Sequence, residues 1–463
     1  EQLIPSLLNA MRVLTDPAET GAVTIAMPQD VQAEVFDWPV ELFRKRVWHV
    51  RRPVPEPAAL ERAVALIKAA KRPLIIAGGG TIYAGASEEL RALATATGIP
   101  VGDTQAGKGA INFDHPSAVG GVGSTGCDSG NHIADKADLI IGVGTRYSDF
   151  TTASKTQFKN PDVKFVNINV TPFDAAKESA EMVVADAREA LAALTEALAD
   201  YRVEAAYSEE ITAEKEAWLK ATERCYHLDH GPLPAQTEVF GALNELMGEE
   251  DVVINAAGSM PGDLQALWQA RSPLQYHVEY AFSCMGYEVP AAMGVKLARP
   301  EAEVVSIVGD GTYQMLPMEL ATVVQENIKV IYVLLQNYGF CSIGALSESR
   351  GSQRFGTKYR RRGEGSHLAD EQVIDGVDIA ANARSWGLDV LEVHTIAEFK
   401  EAYRQAEASD RPTMIHIETD LYGPNPPGSS WWDVPVSGVS ELESTQRAYE
   451  EYLRDRKPQR HYL

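Results

Sequence analysis

The hydrophobic pattern of this chain alternates between short apolar runs and amphipathic stretches. Runs rich in β-branched residues, which are typical of buried parallel strands, lie at Val304–Val308 and Lys329–Leu335. Between them come Gly309-Asp310-Gly311 and then apolar residues at helical spacing, for which Pro317 suits the first turn. The pattern therefore predicts a strand, a glycine turn, a helix and a second strand, which together form a βαβ unit of a parallel sheet.

The same alternation recurs through most of the chain. Further buried strands are predicted at residues 73–80, 99–104, 139–144, 164–169 and 252–255. Helices are predicted at residues 58–70, 88–97, 208–224, 234–247, 291–298 and 441–456. Strands that alternate with helices are typical of α/β proteins, so the predicted fold class is α/β with doubly wound parallel-sheet domains.

This pattern divides the chain into four parts. Residues 1–45, with an apolar helical stripe and a strand predicted at Val23–Met27, are expected to be the C-terminal remnant of an α/β domain whose larger part is absent. The alternative is a small N-terminal extension that docks on another domain. After a Pro-rich linker, residues 58–200 are predicted to form a central α/β domain and residues 233–420 a second one, with a C-terminal tail at 421–463.

Length, charge and cysteine usage narrow the class of protein. The 463 residues suffice for two or three domains with substantial cores. Forty-two basic against 65 acidic residues give a net charge of −23, which argues against nucleic acid or an anionic membrane as a partner. No apolar run approaches the roughly 20 residues of a membrane span. The four cysteines are scattered without metal or disulfide spacing, so a cytoplasmic enzyme with a small-molecule substrate is predicted.

Two oxygen-bearing side chains follow the predicted strands of the βαβ unit. Asp310 comes directly after the first strand, and Asn337 follows the second. Because the carboxyl ends of parallel strands meet at one edge of a sheet, both side chains are expected to converge on one cation. A carboxylate, an amide oxygen and the carbonyl of Gly339, completed by phosphate oxygens, suit Mg²⁺. A Gly-Asp-Gly triplet alone is usually an ordinary turn; the paired Asn is what indicates a metal-bound diphosphate site.

Groups able to hold a diphosphate surround this predicted metal site. Gly309 and Gly311 let backbone N–H groups approach a ligand, and Thr312 offers a hydroxyl. Gly258 and Ser259 follow another predicted strand end, so they are expected to face the same cleft. These five residues are predicted to bind the phosphate end of a cofactor.

Two further glycine-rich segments leave alternatives open. Gly78-Gly79-Gly80 could cradle a nucleotide phosphate, but it does not fit the G-x-G-x-x-G fingerprint, so a structural strand-to-helix turn is favoured. The segment Gly120–Gly130 either lines the cofactor cleft or serves as a flexible connection.

The triplet Gly309-Asp310-Gly311 with Asn337 resembles the cofactor signature of thiamine diphosphate enzymes, in which Gly-Asp-Gly precedes an Asn-Asn pair. Gln336 stands where the first Asn is usual, and Asn337 where that family has its metal ligand. The order of the parts is similar to that of acetolactate-synthase-like enzymes. The resemblance implies thiamine diphosphate and Mg²⁺ as cofactors, residues 1–45 as the remnant of a pyrimidine-binding domain, and residues 233–420 as the diphosphate-binding domain.

The resemblance also assigns roles in the segment Tyr280–Pro290. In this family a large apolar residue in the comparable segment wedges the cofactor into a bent shape, and by position that residue is Met285. The carbonyl of Ser283 is implied to accept a hydrogen bond from the aminopyrimidine amine. The alternative for a lone Met is an ordinary core position.

No catalytic residue is predicted within this chain. The resemblance implies an activating glutamate in the N-terminal domain, usually of a neighbouring subunit, whereas Glu19 and Glu34 flank the strand predicted at Val23–Met27 and belong to the wrong end of that domain. The polypeptide alone is therefore expected to be inactive. Because the family builds its site between subunits, a homodimer or homotetramer is expected.

Long segments resemble one member of this family, a hydrolase of a cyclic 1,2-diketone in myo-inositol catabolism. They are TDPAETGAVTIAMPQDVQAE, GDGTYQMLPMELATVVQE, NYGFCSIGALSESRGSQRFGTKYR and WWDVPVSGVSE. The resemblance implies hydrolytic ring opening to 5-deoxy-D-glucuronate. The chemistry of the cofactor would equally serve an acetolactate-synthase-like carboligase or a 2-oxo acid decarboxylase, and a non-catalytic cofactor-binding subunit is the alternative outside enzymes.

Two segments beyond the cofactor motif have unusual composition. The loop that follows it carries six cations without an acidic residue among them: Arg350, Arg354, Lys358, Arg360, Arg361 and Arg362. It is predicted to be either a solvated basic loop or a lid that binds substrate. In the tail, the adjacent Trp431 and Trp432 of a Pro-rich segment suggest packing over another surface, with the mouth of the site as one candidate.

Overall fold

The computed structural model describes residues 2–280, 282–360 and 377–462. Within these ranges the strands are β1 (Pro73–Ala77), β2 (Val101–Asp103), β3 (Ala118–Gly121), β4 (Leu139–Val143), β5 (Lys164–Asn169), β6 (Glu181–Val184), β7 (Val252–Asn255), β8 (Tyr276–Val278), β9 (Val304–Gly309), β10 (Ile331–Gln336), β11 (Asp389–Val393) and β12 (Thr413–Glu418).

The helices alternate with these strands. They are α1 (Leu3–Leu14), α2 (Gln29–Gln32), α3 (Pro57–Ala69), α4 (Gly79–Tyr83), α5 (Ser87–Thr97), α6 (Asp128–Lys136), α7 (Pro172–Ala175), α8 (Ala187–Ala197), α9 (Ala205–Tyr226), α10 (Gln236–Leu246), α11 (Met260–Leu267), α12 (Glu288–Ala298), α13 (Asp310–Tyr313), α14 (Glu319–Gln325), α15 (Cys341–Ser349), α16 (Ile379–Trp386), α17 (Ile396–Ala408) and α18 (Glu443–Asp455). Short 3₁₀ turns lie at Val40–Phe43, Gln105–Gly107 and Lys177–Ser179.

Strands β1 to β6 form one parallel sheet in the order β3-β2-β1-β4-β5-β6. Its central strands are apolar throughout, and β1 is buried along its whole length between β2 and β4. Helices pack on both faces of such a sheet, which is why its strands read as continuous apolar runs. The order reverses direction between β1 and β4, as in doubly wound folds.

Strands β7 to β12 form a second parallel sheet in the order β11-β12-β10-β9-β7-β8. The predicted βαβ unit is part of it, since β9 and β10 are neighbours with Gly309 paired to Leu335. Here the order reverses between β7 and β9, and the segments that follow those two strands flank the crevice of this sheet. With two sheets of parallel strands and interleaved helices, the predicted fold class is confirmed.

Five strands were not predicted from the sequence: β3, β6, β8, β11 and β12. Strand β3 lies at the start of the glycine-rich segment, where two glycines dilute the apolar signal. Strand β8 has only three residues, and β11 carries exposed acidic positions at the edge of its sheet. Short or edge strands bury little apolar surface, so their hydrophobic pattern is weak. Strand β12 is different, because it is a buried inner strand whose apolar run is interrupted by His416.

The strand predicted at Val23–Met27 is wrong, because the structure has no strand there. Val23 is 37% exposed and Met27 51% exposed, and the segment pairs with none of the strands of the described chain. An extended run becomes a strand only when a neighbour satisfies its N–H and C=O groups. In α1, which precedes this segment, Ala10 is the one buried position.

The described part of the chain contains no helix that is both long and apolar enough to cross a membrane.

Candidate functional site

A cavity of about 620 Å³ opens at the carboxyl edge of the second sheet, where its strand order reverses. Residues from the central domain and from the C-terminal tail complete its wall. The cavity is lined by every residue predicted to bind cofactor or metal: Gly258, Ser259, Ser283, Met285, Gly309, Asp310, Gly311, Thr312, Asn337 and Gly339. The structure therefore brings together residues from four loops, and their roles as ligands stay predictions.

Asp310 is held by the backbone of the loop that follows the neighbouring strand. Its Oδ2 atom accepts hydrogen bonds from the N–H groups of Asn337 at 3.2 Å, Tyr338 at 2.6 Å and Gly339 at 3.3 Å. Its Oδ1 atom accepts one from Gly311 at 2.7 Å. Burial raises the pKa of Asp310 to about 6, although these four N–H groups act in the opposite direction. The carboxylate thus fixes the two loops relative to each other.

Asn337 presents a buried amide oxygen that has no hydrogen-bond partner. A buried oxygen of this kind is costly unless something outside the chain satisfies it, and a cation does so. Because the predicted set has a single carboxylate, a cation beside Asp310 would take its other ligands from an amide, a carbonyl and phosphate oxygens, which suits Mg²⁺. The residues present fit that metal.

Gly339 is a glycine because another backbone lies against it. A Cβ atom at this position would lie 2.1 Å from the carbonyl oxygen of Thr357. The backbones meet there, since Phe340 donates to Thr357 at 2.7 Å and Tyr359 donates to Tyr338 at 2.9 Å. This contact holds the loop that carries Gly339 at the wall of the cavity.

Ser259 lies directly before α11, on the phosphate side of the predicted cofactor site. Its hydroxyl exchanges hydrogen bonds with the side chain of Gln236, which also donates to the carboxylate of Asp263. Burial raises the pKa of Asp263 to about 7, partly offset by the bond from Gln236. Gly258 has φ +95°, a conformation that favours glycine, and Thr312 is buried within the short helix α13.

Glu288 connects two of the loops that line the cavity, a role the sequence did not reveal. This first residue of α12 is fully buried, and its carboxylate accepts from the N–H groups of Ala257 at 3.4 Å and Gly286 at 3.1 Å. Ala257 adjoins Gly258, and Gly286 adjoins Met285. Burial raises the pKa of Glu288 to about 7. Its only sequence signal is an acidic residue at the start of a helix of small residues.

Met285 and Ser283 lie in the segment that precedes α12, and both line the cavity. Met285 is half-buried and contributes to the wall, so the alternative of an ordinary core position does not describe it. Ser283 has φ +52°, in the left-handed region. Glu279, which also lines the cavity and was not predicted, accepts from the N–H of Cys284 at 2.7 Å.

The two glycine-rich segments of the central domain have different surroundings. Ser124 and Thr125 of the segment Gly120–Gly130 line the cavity, so this segment belongs to the cleft. In Gly78-Gly79-Gly80, by contrast, a Cβ atom on Gly78 would lie 2.3 Å from the carbonyl oxygen of Gly144. That close backbone packing gives the triplet the structural role favoured from the sequence.

Four cations of the predicted lid lie in the described part of the chain, and none of them lines the cavity: Arg350, Arg354, Lys358 and Arg360. Arg350 donates to the carbonyl of Trp432 at 3.2 Å, while Arg354 pairs with Glu348 and lies over the ring of Tyr422. Neither is among the lining residues, so a direct contact with substrate is not supported. The corresponding prediction for residues 361 and 362 lies outside the described part of the chain.

The wall of the cavity carries an electrostatic bias. Among the described residues that line it, none is Lys, Arg or His, whereas Asp263, Glu279 and Asp310 contribute carboxyl groups. Glu19 and Glu34, which the sequence placed at the wrong end of their domain, do not line it either. Among the described lining residues, an anionic group therefore finds no cationic side chain.

Comparison with protein families defines the class of enzyme to which the chain belongs. Residues 60–194 match the central domain of thiamine pyrophosphate enzymes, and residues 256–417 match their C-terminal TPP-binding domain. The second match spans the loops after β7, β9 and β10 that line the cavity.

Individual relatives narrow the class further. The chain is 43% identical to a 3D-(3,5/4)-trihydroxycyclohexane-1,2-dione hydrolase of Bacillus cereus strain AH820. The alignment has 486 positions and covers 100% of this chain and 75% of that hydrolase. Hydrolases of the same name from Bacillus anthracis strain A0248 and Bacillus thuringiensis strain Al Hakam are 42% and 43% identical with the same coverage. The chain belongs to the family of thiamine pyrophosphate enzymes that includes these hydrolases.

Proposed function

We propose that the protein hydrolyses a C–C bond of a cyclic 1,2-diketone, 3D-(3,5/4)-trihydroxycyclohexane-1,2-dione, to give 5-deoxy-D-glucuronate in myo-inositol catabolism. The bond between the two adjacent carbonyl carbons breaks. One carbon takes the hydroxyl of water and becomes a carboxylic acid, and the other takes a hydrogen and becomes an aldehyde. The relatives' names indicate this substrate.

The observation that carries the choice of substrate is the absence of Lys, Arg and His among the described lining residues of the cavity. A carboligase or decarboxylase of the acetolactate-synthase type acts on 2-oxo acids, whose carboxylate would enter a cavity with Asp263, Glu279 and Asp310 in its wall and no cation among its described lining residues. Like charges without compensation disfavour binding by several kcal/mol. A neutral, hydroxylated diketone meets no such penalty.

The cofactors of this reaction are proposed to be thiamine diphosphate and Mg²⁺. When bound, the thiazolium ring supplies a carbon nucleophile for a carbonyl and accepts the electron pair of the breaking C–C bond. Asp310, Asn337 and the carbonyl of Gly339 would hold the metal, as the partnerless oxygen of Asn337 supports. Gly258, Ser259, Gly309, Gly311 and Thr312 would bind the diphosphate, Met285 would support the bent cofactor, and the Ser283 carbonyl would accept from its amine.

Product analysis of the purified enzyme tests this function. With the diketone, thiamine diphosphate and Mg²⁺, we expect one acid-aldehyde per substrate without release of CO₂. Release of CO₂ from pyruvate, with the diketone left unchanged, would instead identify a 2-oxo acid enzyme. The absence of turnover with either substrate, measured on the intact gene product, would indicate a non-catalytic cofactor-binding subunit.

A homodimer or homotetramer is proposed for the assembly. Two large apolar side chains are exposed at the cavity. Ile343, which lines it, is 55% exposed, and Phe282, next to the lining residue Ser283, is 88% exposed. Exposed apolar surface beside a site is typical of a protein–protein contact. Light scattering coupled to size exclusion should give twice or four times the monomer mass, and a monomer at micromolar concentration would contradict the proposal.

A cytoplasmic location is proposed from the cysteines. None of the four thiols is paired in a disulfide, and two of them, Cys127 and Cys341, lie in the central and diphosphate-binding domains well apart in sequence. Unpaired thiols are typical of reducing compartments. Fractionation of cells that produce the protein tests this location.

A further inference from the structure

The C-terminal tail is attached to the central domain at the edge of the cavity. The Trp432 indole N–H donates to Asp149 at 2.8 Å, and its ring lies 5.0 Å from the ring of Phe150. The carbonyl of Trp431 accepts from the hydroxyl of Ser124 at 3.1 Å. Three residues from two loops of the central domain, Ser124, Asp149 and Phe150, therefore hold this end of the tail.

A second attachment lies a few residues earlier. The carbonyl of Gly428 accepts from the side-chain amide of Asn131 at 2.7 Å. Gly428 has φ +100°, and a Cβ atom there would lie 2.1 Å from the backbone nitrogen of Asp128. Arg350 adds the bond to the Trp432 carbonyl from the diphosphate-binding domain. The segment Gly428–Trp432 is thus fixed to both domains that form the cavity.

Between and beside these attachments, two side chains of the tail face the cavity. Asn425 and Ser429 line it, and both are exposed. Within the described part of the chain, neither side chain has a hydrogen-bond partner, although their neighbours Gly428 and Ser430 are both bonded to the central domain. The attached backbone therefore presents the unpaired hydroxyl of Ser429 to whatever occupies the cavity, and Asn425, just before the attached residues, presents an unpaired amide.

We propose that Asn425 and Ser429 form a subsite for the hydroxyl groups of the substrate ring, which makes the tail a determinant of substrate specificity. An amide and a hydroxyl each donate and accept, so they match ring hydroxyls, which do the same. They carry no charge, so they give no advantage to a carboxylate. This inference rests on the proposed function, because it assigns the recognition of that substrate.

Steady-state kinetics of tail variants test the subsite. Asn425→Ala and Ser429→Ala should each raise KM for the diketone about three- to tenfold, the effect of one neutral hydrogen bond, with kcat changed less than twofold. Ser429→Thr keeps the hydroxyl and should stay close to wild type. Ser437→Ala is a matched control, because Ser437 lies on the same tail, bonds only within its own turn and does not line the cavity.

The possible outcomes distinguish a failure of the subsite proposal from a failure of the proposed function. Turnover by the wild type with unchanged KM in both alanine variants would overturn the subsite and leave the function standing. The alanine variants could instead bind thiamine diphosphate more weakly by calorimetry, or melt at a lower temperature. If either change accounted for the kinetic effect, these residues would have a structural role only. If the intact gene product did not open the diketone, the function would be overturned, and the subsite with it.

Discussion

The Oδ2 atom of Asp310 accepts a hydrogen bond from the backbone N–H of Asn337 at 3.2 Å, across 27 positions of the chain. Each residue follows one of two adjacent parallel strands, β9 and β10. The carboxylate thereby organises the loop whose side chain, that of Asn337, has a buried oxygen without a partner. One residue supports the position of the other before any ligand binds.

Asp310→Ala should abolish Mg²⁺-dependent binding of thiamine diphosphate. The substitution removes a predicted metal ligand and leaves the N–H groups of Asn337, Tyr338 and Gly339 without their acceptor. Titration calorimetry with and without Mg²⁺ measures the loss, and Asp162→Ala, at an exposed position of the central domain, is the control. An unchanged affinity in a variant that melts cooperatively would refute the assignment.

Glu288→Gln should flatten the pH dependence of stability. The folded-state pKa of Glu288, about 7, lies above its ordinary value of 4.5 because the group is buried. Its favourable contribution is therefore complete below pH 4.5 and is lost as the pH rises through about 7. The amide variant cannot ionise, so its melting temperature should fall less than that of the wild type between pH 5 and pH 8.

Calorimetric melts of both proteins across that range check this expectation. Asp263 is the internal reference. Its raised pKa is present in both proteins, so it contributes the same slope of melting temperature against pH to each. Parallel melting curves for the wild type and Glu288→Gln would show that Glu288 does not titrate in this range.

Replacement of Arg350 by Gln and replacement of Arg354 by Gln should have different effects on KM for the diketone. Arg350 holds the Trp432 carbonyl, so Arg350→Gln should release the tail and raise KM for the diketone about two- to fivefold. Arg354 bonds to Glu348 away from the cavity wall, so Arg354→Gln should leave KM unchanged. Equal effects of the two variants on KM would contradict the idea that the basic loop acts through the tail.

Gly78→Ala should destabilise the central domain by about 1–3 kcal/mol, because the new Cβ atom would lie 2.3 Å from the Gly144 carbonyl oxygen. Urea denaturation measures this loss. Thiamine diphosphate affinity of the folded variant should stay at the wild-type value, since Gly78 does not line the cavity. Gly85→Ala is a weaker comparison, because a Cβ there meets nothing within 4 Å and only its φ of +62° is unfavourable.

A variant of Gly78 that keeps its stability but loses affinity for a nucleotide or for the cofactor would restore the phosphate-binding alternative for this triplet. The two measurements together therefore distinguish a structural turn from a ligand cradle.

The sequence by itself determined the elements whose signal is local. Apolar runs predicted β5 and β7 with correct bounds. The positions of Asp310 and Asn337 after two strand ends predicted that these two residues would lie close together. Both deductions rest on short-range periodicity and on the fixed geometry of a parallel βαβ unit, in which neighbouring strand ends must share an edge. The predicted metal and diphosphate residues lie at or directly after strand ends that this geometry places, whereas Ser283 and Met285 were assigned from the family resemblance.

Only the tertiary structure decided the contacts that join distant parts of the chain. The bond between Ser124 and the Trp431 carbonyl spans 307 positions, and no periodic pattern encodes it. The clamp of Glu288 on Ala257 and Gly286 depends on two loops that converge only when the sheet forms. Val23–Met27 has the composition of a strand and yet remains unpaired, because a strand is completed by its neighbours and not by its own residues.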